Sequence, residues 1–385
     1  MTDRGSGGNS VGGEPVIAAY VHVPFCARVC PYCDFAVVAG KDDQTQRYFE
    51  ALLAEIDMEP AAGPLGSVFV GGGTPSRVSP RLLGGVINRL ADRFGLVADA
   101  EVSLEANPED WTVEEAGGLV VAGVNRVSFG VQSFDDAVLG ELGRLHTART
   151  ARSAVALARE AGFASVSLDL IFGSAGESVE SWRHTVESAI ALAPDHVSTY
   201  ALTVERGTEL SRRVAAGAPG PDPDDQADKY ELARDLFVRA GFDHYEVSNY
   251  ARPGHECRYN RNTWEQGDYL AFGLGAHGHR AGVRRRNVRS LEAYLRLVEA
   301  AERPEAGREI IAGWDGELER VFLGLRMRSG VEAGRVGPAL VADPAGQALV
   351  SAGKLEVTED RIRVLDPLFT DGAARVVLGL ASPGA

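Results

Sequence analysis

The sequence predicts an α/β fold: a partial (β/α)6 TIM-like barrel with a smaller, mostly helical C-terminal domain ending in a β-wing. Three observations carry that reading. Strand-like and helix-like stretches alternate six times over about 185 residues, at a repeat of about 30, as right-handed βαβ units around a parallel sheet do. Every proposed strand ends at or near polar or glycine-rich residues, which a barrel would gather at one mouth. A doubly wound sheet would collect ligands at a single switch point and leave several of these strand ends idle. Beyond Glu205 the alternation stops and the composition changes.

The elements follow in order. Residues 16–23 are a β-branched and aromatic run, read as the first strand. Residues 42–59 place Tyr48, Phe49, Leu52, Leu53 and Ile56 at helical spacing. The second strand, 67–70, runs into Gly71-Gly72-Gly73-Thr74, and 80–94 is helical. The third strand, 102–105, ends at Glu105 and is followed by a helix over 113–122. The fourth, 126–131, ends at Gln132, with a helix over 147–161. The fifth, 165–171, carries Asp169 and precedes a helix over 179–192; the sixth, 196–202, carries Tyr200 and Ala201.

After these units, residues 206–226 read as a linker, since 219–225 is rich in Pro and Asp. Residues 227–240, 291–301 and 318–327 are helical, 244–250 reads as a strand, and 354–364 alternates like a hairpin. The division is therefore a disordered Gly/Ser-rich tail (1–16), a barrel core (17–205), the linker (206–226) and a C-terminal domain (227–385).

Three of the four cysteines stand in one short loop, Cys26, Cys30 and Cys33, spaced Cys-x3-Cys-x2-Cys. Thiolates grouped so tightly suit an iron–sulfur cluster or zinc. A structural zinc wants four closed ligands, and no fourth cysteine or histidine follows Cys33 within the loop. A cubane held by three thiolates keeps one iron with an open position. Disulfides are the plain alternative, but three cysteines at separations of four and three residues cannot pair fully without strain.

A formal net charge of −15 argues against sequence-independent binding to nucleic acid or to an anionic membrane. No apolar run reaches the ~18 residues of a membrane span, and the first sixteen residues lack the apolar stretch of a signal peptide. With crowded free thiols, these features point to a reducing, cytoplasmic setting.

The triad and its surroundings, Tyr-x-His-x-Pro-Phe-Cys followed by Cys-Pro-Tyr-Cys-Asp-Phe, resemble the signature of the radical S-adenosylmethionine (SAM) superfamily. Within it they are similar to the branch that holds the oxygen-independent coproporphyrinogen III oxidases and the haem chaperones called HemW. The resemblance implies a [4Fe–4S] cluster on Cys26, Cys30 and Cys33, with SAM chelating the fourth iron. It implies the partial barrel, and SAM contacts at Gly72, Gly73, Thr74, Glu105, Gln132, Arg144 and Asp169, with Tyr20, Tyr32 and Ala201 as lesser ones. Those residue types suit SAM, which presents a sulfonium and an ammonium to a carboxylate, a carboxylate to a guanidinium and two ribose hydroxyls to acceptors. Read singly, each is as well a surface charge, a cap or a turn.

Departures within the branch point to the chaperones. The oxidases carry a further cysteine two residues after the last ligand, where this chain has Phe35. The short start and Cys-Asp-Phe resemble HemW, which implies binding of haem and its delivery to recipient proteins, membrane-bound ones among them, without catalytic residues of its own. The alternative is an oxidase that decarboxylates coproporphyrinogen III in porphyrin biosynthesis, so whether the chain is an enzyme stays open. The chaperones' haem motif, His-Asn-x-x-Tyr-Trp, corresponds to Tyr259-Asn260-Arg261-Asn262-Thr263-Trp264. Asn260 and Trp264 match; Tyr259 replaces the histidine, leaving Tyr259, His255 and Cys257 as candidate ligands. Arg280 and Arg284-Arg285-Arg286 read either as a solvated loop or as a basic face toward haem propionates or an acidic partner.

Overall fold

The computed structural model describes residues 16–382; the expected tail lies, apart from Val16, outside the described residues. In chain order the first half runs β1 (Ile17–Val23), β2 (Phe25–Cys26), β3 (Val38–Ala39), α1 (Thr45–Met58), β4 (Leu65–Gly72), α2 (Pro80–Phe94), β5 (Leu96–Ala106), α3 (Val113–Val121), β6 (Arg126–Gln132), α4 (Asp136–Glu141), α5 (Ala148–Ala161), β7 (Ser165–Phe172), α6 (Val179–Ala191) and β8 (His196–Ala201). The second half runs α7 (Glu209–Ala215), α8 (Pro223–Arg239), β9 (Asp243–Glu246), β10 (Asn249–Ala251), α9 (Arg258–Trp264), β11 (Tyr269–Phe272), β12 (His277–Arg280), β13 (Val283–Asn287), α10 (Leu291–Glu299), β14 (Glu305–Ile310), α11 (Gly313–Gly324), β15 (Val331–Glu332), α12 (Val336–Ala342), α13 (Pro344–Ser351), β16 (Leu355–Val357), β17 (Arg361–Val364) and α14 (Thr370–Leu378).

The barrel strands β1, β4, β5, β6, β7 and β8 lie side by side in chain order and all run parallel. This is the partial (β/α)6 barrel expected from the alternation. Its outer layer forms because each helix carries one apolar stripe. In α2, Pro80 sits in the first turn, Leu83, Val86, Ile87, Leu90 and Phe94 are buried, and Gly95 ends the helix at φ +81°. Each such side chain contributes ~1.5–3 kcal/mol when taken from water.

Both edges of the barrel sheet are extended. β11 pairs parallel to β1, and β12, β13 and β14 continue the sheet antiparallel; β10 and β9 extend it beyond β8. Residues 244–250, expected as one strand, are therefore two antiparallel strands joined at Val247-Ser248. The arginine run expected as a loop is strand β13. Its Arg284 pairs with Glu309 of β14 and with Glu319 of α11 at 3.0 Å, so that charge is met within the chain.

The apolar packing divides the chain elsewhere than at residue 206 or 227. One core joins the barrel to α8, β11 and α10, taking in Tyr230, Phe237, Phe272 and Tyr294. A second core holds α11, α12, α14 and the small sheet β15–β17–β16. The smaller, mostly helical C-terminal unit with its β-wing thus begins at α11. The stretch 206–226, expected as a linker, holds α7 and the first turn of α8. Its Pro/Asp composition is capping chemistry: Asp222 Oδ1 accepts from the Asp224 and Asp225 amides at 2.9 and 3.2 Å, ahead of Pro223.

Arg326 ties the two cores together. It donates to Glu246 Oε2 and Ser248 Oγ, both at 3.2 Å, and lies 4.4 Å over the Trp264 ring. Arg326→Ala leaves the Glu246 carboxylate buried without its cation and is expected to destabilise the protein by about 2 kcal/mol. Urea unfolding followed at the tryptophans measures it.

Candidate functional site

The site is built on the C-terminal ends of the six parallel strands. β1 delivers the chain to Pro24, and the Val38 amide closes the loop by donating to the Pro24 carbonyl at 2.8 Å. Within that loop Cys26, Cys30 and Cys33 are free and half-buried, whereas Cys257 is fully buried elsewhere. Thr74 Oγ1 lies 3.5 Å from Cys26 Sγ, and Arg144 Nη1 lies 3.6 Å from Cys30 Sγ. The sulfurs of Cys26 and Cys30 thus each stand beside a side-chain donor suited to a thiolate. Among the described residues no three His, Cys, Asp or Glu side chains are placed to grip a single ion. Thiolates on three corners of a cubane each hold a different iron, so they need not converge on one point.

Three glycines lie under the loop for a reason the sequence did not disclose. A Cβ on Gly71 would meet Glu105 Oε2 at 2.8 Å, one on Gly72 would meet the His22 ring at 2.4 Å, and one on Gly73 would meet the Pro24 backbone at 2.7 Å. The run's N–H groups are also committed within the chain. Gly72 donates to Glu105 Oε2 at 2.9 Å, Gly73 to the Val23 carbonyl and Thr74 to the Phe25 carbonyl, both at 2.8 Å. The glycines therefore let β4 press against β1 and the cysteine loop.

Around them stand the other expected residues. Gln132, at the end of β6, holds φ +65°, a left-handed conformation that strains any residue but glycine. The register shift between Gly130 and Gln132 marks the same distortion. Arg144 Nη2 donates to Asn107 Oδ1 and to the Gly130 carbonyl at 2.9 Å. Asn107 Nδ2 in turn donates to Thr74 Oγ1 at 3.1 Å. The chain Cys30, Arg144, Asn107, Thr74, Cys26 closes one side of the site. Tyr32 packs with Val138, Leu142, Ile171 and Leu202 beside it, and Ala201 is exposed at the end of β8.

The barrel lumen holds two buried carboxyl groups, Glu105 and Asp169, with the buried Arg126 on the same inner face. Burial pushes Glu105 up to about 7, against the Gly72 amide that favours its anion. Burial also raises Asp169, although Ser198, Arg126 and Ser128 favour its charge. Ser128 Oγ lies 3.0 Å from both Asp169 oxygens. Tyr20 stacks on Phe69 at 6.3 Å and on Tyr259 at 5.9 Å, and its hydroxyl lies 3.0 Å from His22 Nδ1. Burial lowers His22 to about 4, so the ring is neutral; Nε2–H donates to the Ala36 carbonyl at 2.8 Å and Nδ1 accepts from Tyr20.

Asn107, Ser128 and Ser198 were not singled out from the sequence, and His22 entered only as the histidine of the Tyr-x-His-x-Pro-Phe-Cys motif, with no role given to it. The one available signal was two-residue alternation, which puts Ser128 and Ser198 on the inner face of their strands.

The structure does not bring Tyr259 and Trp264 to one surface. Tyr259, on α9, enters the lumen and stacks on Phe69 at 5.2 Å, while burial drives its phenol far above the usual range. Trp264 packs with Tyr245, Ala251 and Met327, its Nε1 without a partner among the described residues, and Asn260 is half-buried. Arg258 at the start of α9 reaches Asp99 and Glu101 near the N-terminal half of β5. The helix therefore lies at the barrel's floor, opposite the cysteine loop.

Residues 20–189 match the Radical SAM superfamily. Over 378 residues the chain is 39% identical to "Heme chaperone HemW" of Mycobacterium tuberculosis, covering 95% of this chain and 96% of that protein. It is also 39% identical over 270 residues to "Heme chaperone HemW" of Escherichia coli, covering 69% and 70%. Among solved structures, coproporphyrinogen III oxidase (HemN) from Escherichia coli superposes with a TM-score of 0.82 over 95% of this chain and 91% of that one. At 22% identity that likeness speaks for the fold.

Proposed function

Because the chain belongs to the HemW haem-chaperone family of the radical SAM superfamily, we propose that it carries a [4Fe–4S] cluster and SAM at the barrel mouth and binds haem for delivery to recipient proteins. The single observation that carries the SAM half is that Thr74 and Arg144 stand against the sulfurs of Cys26 and Cys30 while Glu105, Gln132 and Asp169 lie on the adjoining parallel strands.

These residues fit the absent groups. Arg144 Nε is buried without a partner among the described residues, a donor left for a ligand carboxylate. Two buried carboxyls pushed toward neutrality favour a ligand bearing positive charge. The glycine run, its amides spent, can offer an ammonium group only carbonyl oxygen. Cys26, Cys30 and Cys33 would hold the cluster, which would supply, when bound, the electron for reductive cleavage of SAM. Glu105 would meet the ammonium, Arg144 the carboxylate, Asp169 the ribose hydroxyls and Gln132 the remaining polar edge; Tyr20, Tyr32 and Ala201 would shape the walls.

A pH dependence follows from Glu105. Its carboxyl must ionise to pair with cationic SAM, so below about 7 binding expels a proton. Affinity is expected to fall about tenfold per pH unit below that value and to level off above it. Titration calorimetry on anaerobically reconstituted protein measures this; an affinity flat through neutrality removes Glu105 from the ligand.

For haem, the proposed contacts are Asn260 and Trp264 with a ligand from the segment 255–259. Cys257 is fully buried, its thiol pushed up to about 12, and Tyr259 could ligate only if α9 withdrew from the lumen. His255 is half-exposed on the loop before α9. Haem titration is therefore expected to show His255→Ala changing the Soret band and weakening binding at least about tenfold, with Cys257→Ser unchanged. Unaltered spectra in His255→Ala, Cys257→Ser and Tyr259→Phe alike would remove all three. Anaerobic incubation with SAM and coproporphyrinogen III separates chaperone from oxidase: no protoporphyrinogen is expected.

A further inference from the structure

Arg126 has no role toward a ligand in the site as described, yet it is 2% exposed inside the barrel. It begins β6, two residues before Ser128, so both side chains fall on the inner face. Ser128 bonds Asp169, and Asp169 pairs in register with Ser198 of β8. Asp169 also pairs in register with Gly130, so on the inner face of β6 Arg126 lies two inward positions below that level, with Ser128 between them. Its Nε is buried with no partner among the described residues. A guanidinium kept in the interior without its full set of acceptors acts through its charge.

The charged and titratable groups around Asp169 come from every neighbouring strand. Arg126 stands on β6, Glu105 on β5, Tyr200 on β8, and Arg144 on the loop after α4. Arg126 also faces Glu101 of β5, Tyr245 of β9 and Cys257 before α9. Glu105 and Asp169 repel each other, and Arg126 favours the charged form of both. Arg144 is committed to Asn107, Gly130 and Cys30.

Resting on the SAM reading above, we propose that Arg126 is a positioning residue of the SAM site: the buried cation on the inner face of β6, below the lumen carboxylates Glu105 and Asp169, whose charge holds them ready for the ligand. It touches neither SAM nor the cluster. Removing its charge acts first on the protonation of Asp169 and Glu105, and through them on SAM.

The test is SAM calorimetry across pH on cluster-loaded protein. Arg126→Gln is expected to move the midpoint of the pH dependence upward by about one unit and to weaken binding about tenfold at neutral pH. Arg126→Lys, which keeps the charge, is expected to restore the wild-type midpoint; a merely space-filling role would not distinguish the two in this way. Should Arg126→Gln fail to fold, the substitution is placed on Asp169→Asn, where no buried carboxylate at 169 is stranded. Because Arg126 also favours the charged form of Glu105, whose ionisation sets the midpoint, the double variant is expected to show a higher pH midpoint than Asp169→Asn alone, and an unchanged midpoint overturns the proposal. A folded Arg126→Gln protein with the wild-type midpoint also overturns it while the SAM site stands. Wild-type protein that takes its cluster yet ignores SAM at every pH overturns the SAM reading, and this proposal with it.

Discussion

Replacing Cys30 or Cys33 by serine is expected to abolish the iron–sulfur cluster, leaving less than about a tenth of the wild-type iron and sulfide after anaerobic reconstitution. A cubane on three thiolates cannot give one up, since the corner that would take a replacement is the one left for SAM. Cys257 supplies the control. It is the remaining cysteine of the four, buried beside Glu101, whose Oε1 lies 3.7 Å from its sulfur. Cys257→Ser is expected to keep full cluster content. Equal losses in all three variants would show unfolding and not ligand removal, which far-ultraviolet circular dichroism would register.

The second large effect is at Gly72. Its φ of +114° disfavours any side chain, and an added Cβ would stand 2.4 Å from His22 Cε1. His22 cannot step aside freely, because its ring is held between the Tyr20 hydroxyl and the Ala36 carbonyl. Gly72→Ala should therefore destabilise the fold by at least about 3 kcal/mol, as strain in φ adds to overpacking. It should also loosen the exit of the cysteine loop and lower cluster retention. Gly85, in the exposed face of α2 with nothing within 4 Å of an added Cβ, is the comparison. Gly85→Ala is expected to stabilise by up to about 1 kcal/mol. The shift of the urea midpoint reads both; equal behaviour of the two variants would mean that β4 does not press on His22.

Why some of this was legible in the sequence and some was not has a physical explanation. The six barrel strands are short runs rich in β-branched and aromatic residues between helices of clear period, so their existence and order could be read directly. The expected ligands sit where strands end, and strand ends carry turn chemistry that a sequence displays. Edge strands lack that signal. β13 is short and reads Val-Arg-Arg-Arg-Asn, which looks like a charged loop until β14 and α11 bring glutamates to it. The same holds for α8, whose capping Asp222 and Pro223 imitate a linker.

Interior polar residues were hidden for another reason. Arg126 and Ser128 alternate with Val127 and Phe129, a pattern that suits a half-solvated strand as well as a barrel with a polar lumen. Only the closing of the sheet around them tells the two apart. Asn107 links Arg144 to Thr74 across three different loops, and no spacing along the chain encodes such a meeting. The glycine run was readable as a place of close approach; that it serves β1 and His22 before any ligand required the packing itself.

Electron paramagnetic resonance of the anaerobically reconstituted, reduced wild-type protein, recorded before and after addition of SAM, tests the central claim most directly. The account predicts a [4Fe–4S] signal whose shape changes when SAM takes the open iron beside Arg144 and Glu105. A preparation that forms no cubane, or one whose signal is indifferent to SAM, would contradict it.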